Sequence, residues 1–277
     1  MRLLITGASS FVGKHLVRML SEEGYEVFHL VRVSKGLENE LVWDFKSDIP
    51  EGLPPCDAVV HLAAYVYFGS EMNIDQYNVN TVSTIKLSSY AKSHKAYFVM
   101  ASMAGIHGSK QTIVGIDTPV APENHYALSK YLAEESIKTY VDNYSILRIG
   151  GIYGLDGPQH LLLNKAISDA VHKRKTPVLN GTGNAKRNYV CVLDVAQWIL
   201  ALIQKYKASN KKTKETLYLA SKEIMSIEEY LQTIADVILR NRRLIRTDGK
   251  ETTDWVIVTS EPPFKLRTFK GYLNSLI

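Results

Sequence analysis

A three-residue apolar run, Leu3 to Ile5, passes directly into TGASSFVG, Thr6 to Gly13. Phe11, Val12, Leu16, Met19 and Leu20 then recur at helical spacing as far as the break at Gly24. A short buried strand that turns through glycine into a helix constrains the fold more than any other stretch of the chain. Gly7 permits the tight turn, Gly13 lets the helix pack closely on the sheet, and the amides at the helix N-terminus attract a pyrophosphate. Ser10 stands where a third glycine is expected, so the backbone must approach a phosphate slightly differently.

The same alternation continues downstream. Tyr25 to Val31, Leu41 to Trp43, Ala58 to Leu62, Ala96 to Ala101 and Ser145 to Ile149 read as strands, and 75–91 and 127–141 as helices. Continuous apolar runs such as AVVHL suit parallel strands buried on both faces. The pattern predicts an α/β fold, a doubly wound parallel Rossmann sheet over 1–154 with a smaller C-terminal α+β substrate lobe over 155–277; the chain can cross between the lobes. In the second part, helices are expected over 161–172, 195–205 and 226–239, with a strand pair within 176–192. KYKASNKKTK, Lys205 to Lys214, reads as a solvated connector.

Composition narrows the partners. The formal net charge of +5 suits an anionic small ligand and falls short of a nucleic-acid-binding footprint. Cys56 and Cys191 are the only cysteines, without His or Cys neighbours at ligand spacing, so neither a disulfide framework nor a metal site is indicated. No stretch approaches the length of a membrane span, and the expected location is the cytoplasm.

At the end of the second strand, where a carboxylate would bind a ribose 2′-hydroxyl, the chain carries Arg32. A guanidinium grips a 2′-phosphate with paired hydrogen bonds, which favours NADP(H) over NAD(H). Asp44 and Phe45 follow the third strand, where the carboxylate can accept the adenine amino group or remain an ordinary surface group. Ala63 and Ala64, in HLAA, let a cofactor pass over the fourth strand; His61 is read as packed. Tyr126 and Lys130 lie four apart in HYALSK and share one face of a helix start. An adjacent ammonium favours the phenolate, so Lys130 is expected to bring Tyr126 toward working range as a proton donor to a carbonyl oxygen.

Together these segments resemble the extended short-chain dehydrogenase/reductase family, in its nucleotide-sugar epimerase/dehydratase branch. TGASSFVG is similar to its TGxxGxxG, HLAA to its strand-four motif, ASMAGIHG to SSxxxYG, YALSK to YxxxK, LRIGGIYG to LRPxxxYG, and RNYVCVLDVA to RDxxxVxDxA. The match spans Thr6 to about Ala196, and KLRTFKGY vaguely resembles the closing segment. The resemblance implies that Tyr126 is the proton donor or acceptor, Lys130 its partner, and Arg187 a clamp on a substrate diphosphate. It also implies cofactor contacts from Gly7, Ser9, Ser10, Phe11, Val12, Gly13, Leu62, Asn80, Ala101, Ile149 and Ile152. The family's catalytic Ser/Thr falls on Met103, and a thioether donates no hydrogen bond. Either Ser102 or a water substitutes, or Tyr126 acts without a second donor, or the site has decayed; Met103 itself can line a sugar pocket against a deoxy methyl group.

Three functions follow as expectations. The leading one is NADPH-dependent reduction of the C4 keto group of a nucleoside-diphosphate 4-keto-6-deoxy sugar, of the dTDP-4-dehydro-6-deoxyglucose type. Dehydration is disfavoured because Ala104 and Gly105 follow Met103, where the family's dehydratases carry an acidic pair. The second is an NAD-dependent nucleotide-sugar 4-epimerase, and the third a catalytically silent dinucleotide-binding regulator. A homodimer is implied by the resemblance alone.

Overall fold

The structure is a computed structural model describing residues 1–67, 69, 71–209, 212–240 and 242–277. The chain forms two compact units: 1–108, 119–148 and 196–217 make one, and 109–118, 149–195 and 218–277 the other.

A seven-stranded sheet dominates the first unit. Its strands are β1 (Arg2–Thr6), β2 (Glu26–Val31), β3 (Glu40–Val42), β4 (Ala58–His61), β5 (Tyr97–Met103), β6 (Tyr144–Ile149) and β7 (Lys214–Leu219), in the order β7-β6-β5-β4-β1-β2-β3. The pairs β1–β2, β1–β4, β2–β3 and β4–β5 are parallel, with Thr6 opposite both Leu30 and His61. The strand order reverses between β1 and β4, so the C-terminal end of β1 opens onto the switch point where such sheets bind ligands. Leu3, Leu4, Ile5, Val59, Val60, Phe98 and Ile146 are fully buried, as strands covered on both faces require.

The helices that matter for the site are α1 (Gly13–Glu22), α2 (Ile74–Tyr77), α3 (Ser83–Ser93) and α4 (His125–Tyr140). The helix expected over 75–91 is realised as α2 and α3 joined by a π-helical turn, Asn78–Val82, a local widening common at functional positions. β7 corrects the sequence reading. The helix α6 (Val192–Ala208) runs into the expected connector, whose residues 210 and 211 lie outside the described ones, and Lys214 already begins a strand. The charged start of KETLYL concealed it, although Lys and Glu are ordinary at a sheet edge.

The second unit packs helices α5 (Leu162–Lys173) and α7 (Ile227–Leu239) around Tyr153, Tyr230, Phe269 and Tyr272, whose rings meet edge to face. The strand pair expected within 176–192 does not form as a pair. Val178–Asn180, Lys186–Arg187 and Val190–Cys191 each pair with a separate partner: Ile245–Thr247, Met225–Ser226 and Ile152–Tyr153. Among the described residues no helix is long and apolar enough to cross a membrane.

Candidate active site

The turn after β1 is built by steric necessity. Gly7 has φ +71°, and a Cβ there would lie 2.7 Å from Ala63 N and 2.8 Å from the Leu62 carbonyl carbon. A Cβ on Gly13 would lie 2.1 Å from Gly7 O, so α1 can start this close to the turn only from glycine. Ser10 donates its amide to Gly7 O at 2.9 Å, and its Oγ accepts the Gly13 amide at 3.1 Å. The serine hydroxyl therefore takes one helix-start donor for itself. The amides of Ser9, Phe11 and Val12 donate to no protein acceptor among the described residues. Three free amides at a helix start, beside a glycine that keeps the wall thin, fit the pyrophosphate of a dinucleotide.

Beneath this turn a buried polar chain fixes the end of β4. Thr6 Oγ1 accepts the Ala63 amide at 3.1 Å and donates to His61 Nδ1 at 2.7 Å. Thr84 Oγ1 donates to Asn80 O at 2.7 Å, so at 3.0 Å from His61 Nε2 it accepts a proton from the imidazole. Both ring nitrogens are spent, and burial, with the Lys130 charge as a second cause, pulls the imidazole pKa down to about 3. His61 is a packed neutral group. Asn80, assigned to cofactor contact by the resemblance, is fully buried: Oδ1 accepts the Tyr65 amide, and Nδ2 donates to Tyr65 O and Ser129 Oγ. Its side chain ties the loop after β4 to α4 and has no amide hydrogen left for a ligand.

Asn124 caps α4, accepting the Ala127 amide at 2.8 Å, and sets Tyr126 and Lys130 one turn apart. The Tyr126 hydroxyl and Lys130 Nζ make no hydrogen bond among the described residues, although Lys130 is only 2% exposed. The electrostatics differ from the sequence expectation. Burial raises the Tyr126 pKa, with no counteracting effect from Lys130, and burial pulls Lys130 down to about 8 against the opposing charge of Glu134. The phenol is thus held as a neutral proton donor.

At the end of β5, Ser102 and Met103 point to opposite faces, as successive strand residues do. Ser102, 6% exposed, donates its Oγ to Glu134 Oε1 at 2.5 Å. Arg148 on β6 grips the same carboxylate, with Nη2 to Oε2 at 2.7 Å and Nε at 3.1 and 3.2 Å, and Nη1 lies 3.3 Å from His107 Nε2. His107 Nδ1 lies 3.0 Å from Pro119 O, so the ring donates there and accepts from Arg148. Ser102 is therefore corrected as a candidate donor: its hydrogen is committed to a buried ion pair. Met103 is half-buried, and its Cε would lie 2.3 Å from a Cβ on Gly105, so the thioether folds over that glycine. Ala101 is half-buried two residues earlier on the Met103 face.

Around β2 and β3, Arg32 is exposed, with no acidic partner among the described residues. Asp44 Oδ1 accepts the Lys46 and Ser47 amides and the Ser47 hydroxyl; those amides hold its carboxyl down at about 2. Phe45 is corrected as a side-chain contact: at φ +65° it turns inward onto Trp43, ring centroids 4.7 Å apart, in the core. Leu62 and Ala63 are half-buried and Ala64 exposed where Gly7 meets the β4 end. Ile149 (buried), Ile152 (half-buried, paired with Val190) and Arg187 belong to the second unit. Arg187 Nη1 donates to Lys186 O and Thr253 O, both at 2.7 Å.

The sequence reading missed Glu134, Arg148 and the pair Tyr77–His125, whose Oη and Nδ1 lie 2.7 Å apart. Glu134 was detectable as a carboxylate four residues after Lys130 on the buried helix face. The Tyr77–His125 contact spans 48 residues and left no local signal. His125 and Tyr126 both line a cavity of about 640 Å³, together with Val66, Tyr67, Gln76 and Leu128.

The NAD dependent epimerase/dehydratase family matches residues 3–217. The GDP-6-deoxy-D-talose 4-dehydrogenase of Aggregatibacter actinomycetemcomitans is 30% identical over 212 residues, 74% of this chain and 71% of the relative. The UDP-glucose 4-epimerase of Mycolicibacterium smegmatis is 27% identical over 222 residues, 70% and 71% of the two chains. Among solved structures, the UDP-glucuronic acid 4-epimerase from Bacillus cereus in complex with NAD superposes with a TM-score of 0.80 at 18% identity, covering 99% of this chain and 94% of that one. The chain belongs to the NAD dependent epimerase/dehydratase family and has its fold. It is an enzyme of the nucleotide-sugar-modifying type.

Proposed function

We propose that the chain moves hydride between a pyridine dinucleotide and C4 of a nucleoside-diphosphate hexose, in the direction of 4-keto reduction on a 6-deoxy sugar such as dTDP-4-dehydro-6-deoxyglucose. The observation that carries this reading is the Tyr126 hydroxyl, without a protein partner among the described residues and lining the 640 Å³ cavity, with Lys130 buried one turn along the helix. A dinucleotide whose pyrophosphate is held at the Ser9, Phe11 and Val12 amides would supply the hydride from its nicotinamide. Tyr126 then gives its proton to the carbonyl oxygen. Burial, by raising the phenol pKa, favours this donor role over that of a phenolate base. Lys130, charged below about pH 8, orients the cofactor ribose. Exposed Arg32 supports NADPH as the donor, and the half-buried Arg187 is assigned to the substrate diphosphate.

A second reading, nucleotide-sugar 4-epimerisation with retained NAD, is favoured by the similarity to 4-epimerases. One experiment separates the two. Purified protein is given NADPH with dTDP-4-dehydro-6-deoxyglucose, and separately UDP- or dTDP-hexoses without added cofactor. Cofactor oxidation in the first arm supports reduction; interconversion in the second, with no oxidation in the first, contradicts it. A homodimer is part of the same proposal, and a solution mass of one chain by light scattering contradicts that part.

A further inference from the structure

The segment between β2 and β3 carries a donor cluster that the reading above does not use. Ser34 Oγ, the Lys35 amide and the Leu37 amide all donate to one atom, Glu40 Oε2, at 2.8, 2.7 and 3.2 Å. Gly36, at φ +75°, donates its amide to Ser34 Oγ at 3.0 Å, and that oxygen is left to give its own hydrogen to Glu40. A hydroxyl and two amides converging on one anionic oxygen, with exposed Arg32 and Lys35 on the same short segment, make the donor set of a phosphate monoester. The chain satisfies this set with its own carboxylate. These bonds, that from Ser34 first, lower the Glu40 pKa, so the group stays anionic at neutral pH.

Arg32 directly follows β2, whose C-terminal end is the place where a dinucleotide fold meets the adenosine ribose. A ribose 2′-phosphate drawn to Arg32 meets loop donors already taken and a like charge holding them. A free 2′-hydroxyl brings no charge and needs none of those donors. We propose that Glu40 is a cofactor-selectivity residue: its carboxylate holds the loop donors that a 2′-phosphate beside Arg32 requires, so a 2′-phosphorylated cofactor binds only by displacing it. Arg32 and Glu40 oppose each other, and the balance between them sets how strongly the enzyme distinguishes NADP(H) from NAD(H). This rests on the dinucleotide reading of the β1 turn.

Calorimetric titration of the full chain with NAD⁺, NADP⁺ and adenosine 2′,5′-bisphosphate tests it without any turnover, using the wild type, Glu40→Gln and Glu40→Ala. The ratio Kd(NAD⁺)/Kd(NADP⁺) rises by about tenfold in Glu40→Ala while Kd for NAD⁺ stays within about twofold, and adenosine 2′,5′-bisphosphate tightens in parallel. Glu40→Gln, which keeps an acceptor but no charge, moves the ratio in the same direction by less. An unchanged or falling ratio overturns the proposal, since Glu40 would then build the loop rather than guard it. Should Glu40→Ala fail to fold, the sign of the change in Glu40→Gln decides. If both dinucleotides bind the wild type and the ratio stays fixed, only the role of Glu40 falls. If neither binds, the dinucleotide reading falls with it.

Discussion

The ends of β1 and β5 belong to one sheet and treat their polar groups in opposite ways. After β1, the amides of Ser9, Phe11 and Val12 have no protein acceptor among the described residues, and Gly7 keeps the wall clear of side chain. At the end of β5, Ser102 is locked to Glu134, Glu134 to Arg148 and Arg148 to His107, while the neighbouring outward position is a thioether. Unspent donors mark a place built to receive an anion, and a closed buried network marks a place built to hold still. On α4 the Tyr126 hydroxyl likewise makes no hydrogen bond among the described residues and lines a cavity, and it is the group to which the proposed acid chemistry is assigned.

The largest effect expected from breaking this contrast lies on the β5 side. Glu134→Gln leaves Arg148 buried without its counter-charge and lowers unfolding stability by about 3–5 kcal/mol in urea denaturation, whereas Ser102→Ala costs about 1 kcal/mol and keeps kcat within about threefold. A Ser102→Ala enzyme with kcat reduced a hundredfold would restore Ser102 as a catalytic donor. On the β1 side, Gly7→Ala must place a Cβ at positive φ against the Leu62–Ala63 backbone, so dinucleotide affinity by titration falls about a hundredfold and the melting temperature falls with it.

A smaller effect sharpens the role of α4. Lys130 is charged only below its pKa of about 8, so the rate of keto reduction falls as pH rises through that value. Arginine stays protonated, so Lys130→Arg moves the basic limb up by more than about one pH unit, even with a lower plateau. A limb that does not move removes Lys130 from the titration. The smallest effect concerns Met103. Met103→Ser weakens the preference for 6-deoxy over 6-hydroxy sugar nucleotides about fivefold in kcat/KM, less than a fully enclosed methyl pocket provides. Equal responses to both sugars would separate Met103 from the sugar.

What the sequence made legible was local. The β1 turn and the Tyr126–Lys130 pair are patterns within eight and five residues, and the physics that shapes them acts over that distance. The groups that constrain them meet from afar: Thr6 and His61 across 55 residues, Ser102 and Glu134 across 32, Asn80 and Ser129 across 49. No periodicity records such contacts, so Ser102 read as a free hydroxyl and Asn80 as a ligand. Phe45 failed for a related reason: only its positive φ turns the ring back onto Trp43. Lys130 lies near Tyr126 in sequence, as expected, but the degree of burial that raises the phenol pKa is a property of the packed fold.

The central claim is tested most directly by following a labelled hydride. NADPH carrying deuterium on the transferable face of C4 is incubated with dTDP-4-dehydro-6-deoxyglucose, and the product is read by NMR for the wild type and for Tyr126→Phe. Deuterium at sugar C4 in the wild type, with the single-turnover rate of Tyr126→Phe reduced by about 10²–10⁴, is the predicted result. Label at C4 at an undiminished rate in the phenylalanine variant, or no label at C4 in either protein, would contradict it.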